Sequence, residues 1–122
     1  MATFTEGMHA GEFLVSEANG RLSRATITVA SGAGKLQAGT VLATLTAGGK
    51  HVPYDNAGTD GSETAAAILY AGVDATAADV KATGIVRLAE VAAEALVWAD
   101  GLDAAGKTAG LADLAAAFVI AR

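Results

Sequence analysis

Apolar and polar positions alternate in short runs through the first third of the chain, and glycines cut the runs. Glu12-Phe-Leu-Val-Ser-Glu-Ala-Asn-Gly20, Ser23-Arg-Ala-Thr-Ile-Thr-Val29 and Leu36-Gln-Ala-Gly-Thr-Val-Leu42 read as β-ribbon. Thr26, Thr28 and Thr40 are β-branched and suit a pleated, half-buried surface. Asn19-Gly20 is a tight-hairpin signal, because both residues tolerate the positive φ that such a turn demands. Residues 12–46 are therefore expected to hold three or four short strands. Further turns are expected at Ser31-Gly32-Ala33-Gly34 and near Ala38-Gly39, and Gly48-Gly49 closes the section.

Val52-Pro53-Tyr54 reads as a short edge segment, since proline is confined to edges and strand starts. A loop dense in Gly, Asp and Asn follows from Asp55 to Glu63. The pattern then predicts a strand within Ala65 to Val73, a turn-like stretch from Asp74 to Ala82 and a strand from Thr83 to Leu88. Glu90 to Ala99 fits two states. Its alanines and the i, i+4 pair Glu90 and Glu94 favour helix, whereas Leu96-Val97-Trp98 favours strand. A helix with a small apolar face is expected from Asp103 to Ala117. Gly106 and Gly110 each weaken it by about 1 kcal/mol relative to alanine, so packing must hold it. Phe118-Val119-Ile120-Ala121 is expected to end the chain as a buried strand.

Residues 1–11 are polar, glycine-bearing and aperiodic, with one aromatic at Phe4, and read as an arm that orders only against a partner. Residues 12–122 read as a single β-rich domain, the organisation a 122-residue chain favours.

Composition changes this picture in one respect. Apolar residues make up 52% of the chain but aromatics only 5%, and alanine supplies much of the difference. A buried large aliphatic side chain contributes about 1.5–3 kcal/mol, and alanine far less. A thin core with a high apolar fraction leaves apolar surface over, and a subunit interface is where such surface is covered. Self-association follows as an expectation. Net charge is −5, and the eight basic residues are scattered singly, which argues against nucleic-acid binding. Cysteine is absent, which excludes disulfides and thiolate metal sites. With no secretory leader pattern and no apolar run near the ~20 residues of a membrane span, a soluble protein made in a cytoplasm is expected.

Candidate chemistry is sparse. Asp55, Asn56, Asp60 and Glu63 supply oxygens from one loop, but Ala57 and Thr59 break the spacing of a calcium loop, so a polar turn is expected. His9 and His51 read as surface histidines. Gly32-Ala33-Gly34 lacks the helix and the Lys-Ser/Thr pair of a phosphate-binding loop. Glu90 and Glu94 read as a solvated pair. Trp98 is either a core anchor or an interface hot spot. No catalytic residue, metal or cofactor is expected.

The ordered series of landmarks resembles the bacteriophage head decoration proteins of the lambda type. It comprises residues 12–20 with Ser23-Arg24, Ala38-Gly-Thr-Val-Leu42, Val52-Pro-Tyr-Asp55, Asp60-Gly-Ser-Glu-Thr-Ala65 and Ile68-Leu69-Tyr70. Arg87 with Ala89-Glu-Val91, Leu96-Val-Trp98 and the aliphatic C-terminal strand complete it. Two positions depart from the family pattern. Ala67 stands where the family often has glycine, and Ala117-Phe118-Val119 stands where it often has Leu-Gly-Ile.

The resemblance implies a mainly β fold of the bent-ribbon, β-clip kind, with one short C-terminal helix and an extended N-terminal arm. It implies a homotrimer seated on the outer surface of the expanded icosahedral capsid at threefold or quasi-threefold positions. There it would bind the major capsid protein and stabilise the shell against internal DNA pressure. Thr3, Phe4, Thr5, Glu6, Met8 and His9 are the expected capsid-contacting arm, and Phe13, Leu14, Trp98 and Phe118 the expected trimer or core anchors. The resemblance places the protein in the virion, and the scattered basic residues and lack of a long apolar run leave no nucleic-acid or membrane partner expected. The alternative is a trimeric β-rich module that binds a ligand or glycan; it is disfavoured because so few aromatics are available to line a site.

Overall fold

The computed structural model describes residues 9–122. Ten strands and one helix follow in chain order: β1 Leu14–Glu17, β2 Arg24–Val29, β3 Gly34–Leu36, β4 Val41–Thr44, β5 His51–Pro53, β6 Ala65–Leu69, β7 Val73–Ala75, β8 Val80–Ile85, β9 Ala89–Val91, α1 Ala104–Ala116 and β10 Val119–Ala121. The fold is mainly β, with its helix near the C-terminus. Five strands close into a barrel in the order β2-β5-β4-β6-β8. A three-stranded sheet, β1-β9-β10, and a two-stranded ribbon, β3-β7, flank it.

The strand period of two explains why the barrel carries two cores. Val41, Ile68 and Ile85 join a larger cluster with Phe13, Val91, Leu114 and Val119, which fills the space between barrel, helix and three-stranded sheet. Their strand neighbours Leu42, Ala67 and Leu69 join Ile27, Val29 and Ala75 in a second cluster, against which Leu36 and Val73 of the ribbon pack. Ala67, at one position where the family often has glycine, sits wholly buried in that second cluster.

Four parts of the architecture depart from the local reading. Asn19-Gly20 turns the chain with Gly20 at φ 68° but makes no hairpin, because β1 pairs with β9 while β2 pairs with β5 and β8. Val52-Pro53 is not an edge. β5 lies inside the barrel between β2 and β4, and proline is accommodated because the β2–β5 seam is one residue long, Val29 opposite His51. The strand expected at 83–88 begins at Val80, within the stretch expected to turn, because six-residue pairing with β2 aligns Arg24 with Ile85 and Val29 with Val80. Glu90 to Ala99 is divided: β9 ends at Val91, a 3-10 turn spans Ala93–Ala95, and Val97 bridges to Thr40.

The helix lies where its pattern predicts. Asp103 caps it, its carboxylate accepting from the Gly106 N–H at 2.7 Å. Its buried stripe is Gly106, Gly110 and Leu114, an i, i+4, i+8 series. The two glycines that lower its intrinsic propensity permit close approach. A Cβ on Gly110 would lie 2.9 Å from both the Trp98 and the Tyr54 ring.

Candidate functional site

The residues that most resemble reactive groups are committed to structure. In the 55–63 loop, Asp55 Oδ1 accepts from the Ala57 N–H at 3.0 Å and Glu63 Oε2 from the Gly61 N–H at 2.9 Å. Asp60 Oδ1 accepts from both the Ser62 hydroxyl at 2.5 Å and the Ser62 N–H at 3.2 Å. These bonds to Ser62 hold the Asp60 carboxyl below its ordinary pKa. The loop is a run of Asx-type turns, as its composition predicts. No three His, Cys, Asp or Glu side chains among the described residues are placed to share a metal ion. Gly32 and Gly34 both hold positive φ in a turn closed by the Ala33 N–H to the Ala30 carbonyl, 3.2 Å. Glu90 lies on β9 with its carboxylate 2.7 Å from Arg122, whereas Glu94 lies in the 3-10 turn, so the two form no pair on one helix.

His51 departs from its expectation. It is buried, not a surface residue, because β5 is enclosed by β2 and β4. Nε2 lies 3.1 Å from the Thr44 hydroxyl, and Nδ1 is buried without a hydrogen-bond partner. Burial lowers its pKa. His9 is exposed, and its backbone N–H donates to Glu12 Oε2 at 3.1 Å.

Of the expected capsid-contacting arm, Thr3, Phe4, Thr5, Glu6 and Met8 lie outside the described residues. The described end of the arm is fastened to the domain. The Gly11 N–H donates to the Tyr70 carbonyl at 2.9 Å, and a Cβ on Gly11 would approach the Tyr70 ring to 2.8 Å. Tyr70 is also met by Arg24, whose guanidinium lies 4.2 Å from the Tyr70 ring centroid and bonds Glu17 through Nη2 at 2.6 Å and Nε at 3.1 Å. That hydrogen bonding lowers the Glu17 pKa.

The four expected anchors separate. Phe13 is wholly buried in the larger cluster, and Leu14 packs against it partly buried. Trp98 is partly buried, edge-on to Tyr54 with ring centroids 6.1 Å apart and planes at 66°. Phe118 is no core residue. It is 66% exposed, and in the segment 118–121 expected to be buried only Val119 is buried, Ile120 being exposed as well because it faces away from Val119 on the strand. The cause lies in the end of the helix. Ala117 caps α1, and Phe118 follows at φ 63° in the left-handed position that usually falls to glycine. This is the position where the family often has glycine, so the backbone conformation is kept while a phenyl ring is turned outward.

Leu88 repeats the arrangement one strand away, with φ 52° and an exposed side chain. β9 and β10 run parallel with Val119 opposite Ala89, so Leu88 and Phe118 enter neighbouring strands side by side. Leu22 completes the patch at 54% exposure. It is held there because the wholly buried Ser23 donates its hydroxyl to the Leu88 carbonyl at 2.8 Å and Arg87 Nη1 donates to the Leu22 carbonyl at 2.7 Å. A left-handed non-glycine residue costs about 1–2 kcal/mol. Two such residues enter adjacent strands here, and each presents an apolar side chain to water. Sequence reading overlooked Leu22 and Leu88. The doublets Leu88-Ala89 and Phe118-Val119 carry the available signal, since neighbouring residues along extended chain point to opposite faces and only one can join a given core.

The carboxylates of the 55–63 loop thus bond to its own backbone and Ser62, while Leu22, Leu88 and Phe118 are exposed apolar side chains. No curated protein matches the chain. The family model for the bacteriophage lambda head decoration protein D matches residues 3–119, nearly the whole length, and the chain belongs to that family.

Proposed function

We propose that the protein assembles as a homotrimer on the outer surface of the expanded phage capsid, at threefold and quasi-threefold positions. There it clamps neighbouring major capsid subunits and stabilises the shell against the pressure of packaged DNA. The match to the head decoration family over residues 3–119 carries this reading. Its role is structural, and the chain is synthesised in the host cytoplasm before joining the virion.

In this reading residues 1–11 form the capsid-binding arm, with Thr3, Phe4, Thr5, Glu6, Met8 and His9 meeting the shell. Thr3-Phe4-Thr5 has the composition of a strand that can be added to a sheet edge. Ordering entropy is then lost only on docking, and many symmetric copies supply avidity without tight individual contacts. The aromatic supply supports this reading over a ligand- or glycan-binding module. Phe13 and Tyr54 are wholly buried, and Trp98 packs edge-on against Tyr54.

Co-sedimentation with expanded, undecorated shells tests the proposal. The full chain is expected to pellet with the shells, and a chain lacking residues 1–8, which keeps the Gly11 to Tyr70 tether, is expected to remain in the supernatant. Equal pelleting of both chains contradicts the role of the arm. Failure of the full chain to pellet contradicts the function.

A further inference from the structure

We infer that copies of this chain meet head to tail, the apolar knob of Phe118 and Leu88 on one copy entering the cleft beside Leu102 on the next. This rests on the homotrimer proposed above and names its surfaces. The knob stands at the C-terminal end of α1, and the cleft opens at the helix's N-terminal end. A 13-residue helix is about 20 Å long, so the two lie on different parts of the molecule. That separation suits a heterologous contact, which closes into a ring under threefold symmetry, and does not suit a twofold contact of one patch with itself.

Charge complementarity identifies the occupant. Arg21 and Arg87 adjoin Leu22 and Leu88 at the knob, and neither is paired with a carboxylate among the described residues. The cleft, of about 480 Å³, is lined by Pro53, Ala99 and Leu102 and rimmed by Asp55, Asp100 and Asp103. None of these three carboxylates is in an ion pair among the described residues. An apolar knob flanked by cations thus fits a mixed cleft that offers Pro53, Ala99 and Leu102 to the knob and carboxylates to the cations, and both belong to this chain. The left-handed backbone at Leu88 and Phe118 holds the knob outward in advance of contact, which reduces the ordering cost of association.

The chain has no cysteine, so single thiols report the contact cleanly. Ala116→Cys, at the end of α1 two residues before Phe118, and Ala57→Cys both fall on exposed positions, spare the core and leave the knob intact. The two single-thiol chains are mixed, at high concentration and on decorated shells, and treated with a short bismaleimide. Bonds are expected between the two variants, and the chain carrying both thiols is expected to give a covalent trimer. Arg87→Glu is expected to lower the yield about tenfold, and Asp100→Lys in the same chain to recover it. A trimeric mass with no bond between these positions, or with Ala116→Cys bonding only to itself, overturns the assigned surfaces and leaves the trimer standing. A chain found single both in solution and on shells overturns the trimer itself, and the inference with it.

Discussion

The hydroxyl of Tyr54 donates to the Gly106 carbonyl at 2.9 Å, tying the residue after β5 to the first turn of α1, 52 positions further along the chain. The bond is buried, and Tyr54 is almost wholly so. Burial raises the Tyr54 pKa, so the phenol remains a donor at neutral pH. Tyr54→Phe is expected to cost about 1–2 kcal/mol, the range for a buried hydrogen bond whose partner stays behind. Urea unfolding measures the loss, and amide exchange should quicken first in the opening turns of α1.

Gly110→Ala separates helix propensity from packing. Propensity alone favours alanine by about 1 kcal/mol. The new methyl would stand 2.9 Å from two aromatic rings, however, and overpacking typically costs about 1–3 kcal/mol. A lower unfolding midpoint is expected. A higher one would show that the Tyr54–Trp98 pair yields easily.

Phe118→Gly should act in opposite directions on the subunit and on the assembly. Relief of the left-handed strain gains about 1–2 kcal/mol, partly offset by the ~0.4–1 kcal/mol entropic cost of glycine. The isolated subunit is expected to be equally stable or slightly more so, while self-association weakens. Denaturant unfolding and analytical ultracentrifugation read the two effects separately.

His51 gives the fold an acid-sensitive seam. Its folded pKa lies below the ordinary 6.5, because desolvation disfavours the imidazolium. Above pH 6.5 both folded and unfolded chains hold the neutral ring, and stability is unaffected. As pH falls below 6.5 the unfolded chain binds the proton first, so stability declines until the folded pKa is reached. The carboxylates of Glu17, Asp60, Asp74 and Asp79 have lowered pKa values, and their stabilisation is lost only below their ordinary 4.5 and 3.8. Denaturant midpoints measured from pH 7.5 to pH 5 should therefore fall for the native chain and change less for His51→Gln.

What local pattern could reveal was the set of turns, the helix and its glycine-lined face, because φ preference, capping and period are short-range properties. Asp103 and the 104–116 helix follow from adjacent residues. Pairing partners do not. Nothing near Asn19-Gly20 announces that β1 will pair with β9 and leave β2 to the barrel, and nothing near Pro53 announces that β5 will be enclosed. The burial of His51 escapes local pattern for the same reason, since it needs distant β2, paired at Val29, to cover the side of β5 that nearby β4 leaves open. The Phe118 position was half legible. The family pattern marked a glycine-like step, but only the end of the helix shows that the ring must point outward. Leu22 and Leu88 became a surface through the buried hydroxyl of Ser23, a link of 65 positions that no local pattern holds.

The most direct measurement is cryo-electron microscopy of expanded, undecorated shells incubated with the purified full-length protein. Trimeric density protruding from the outer surface at threefold and quasi-threefold positions is the predicted result. Shells that stay bare at saturating protein, or density confined to other positions, would contradict the account.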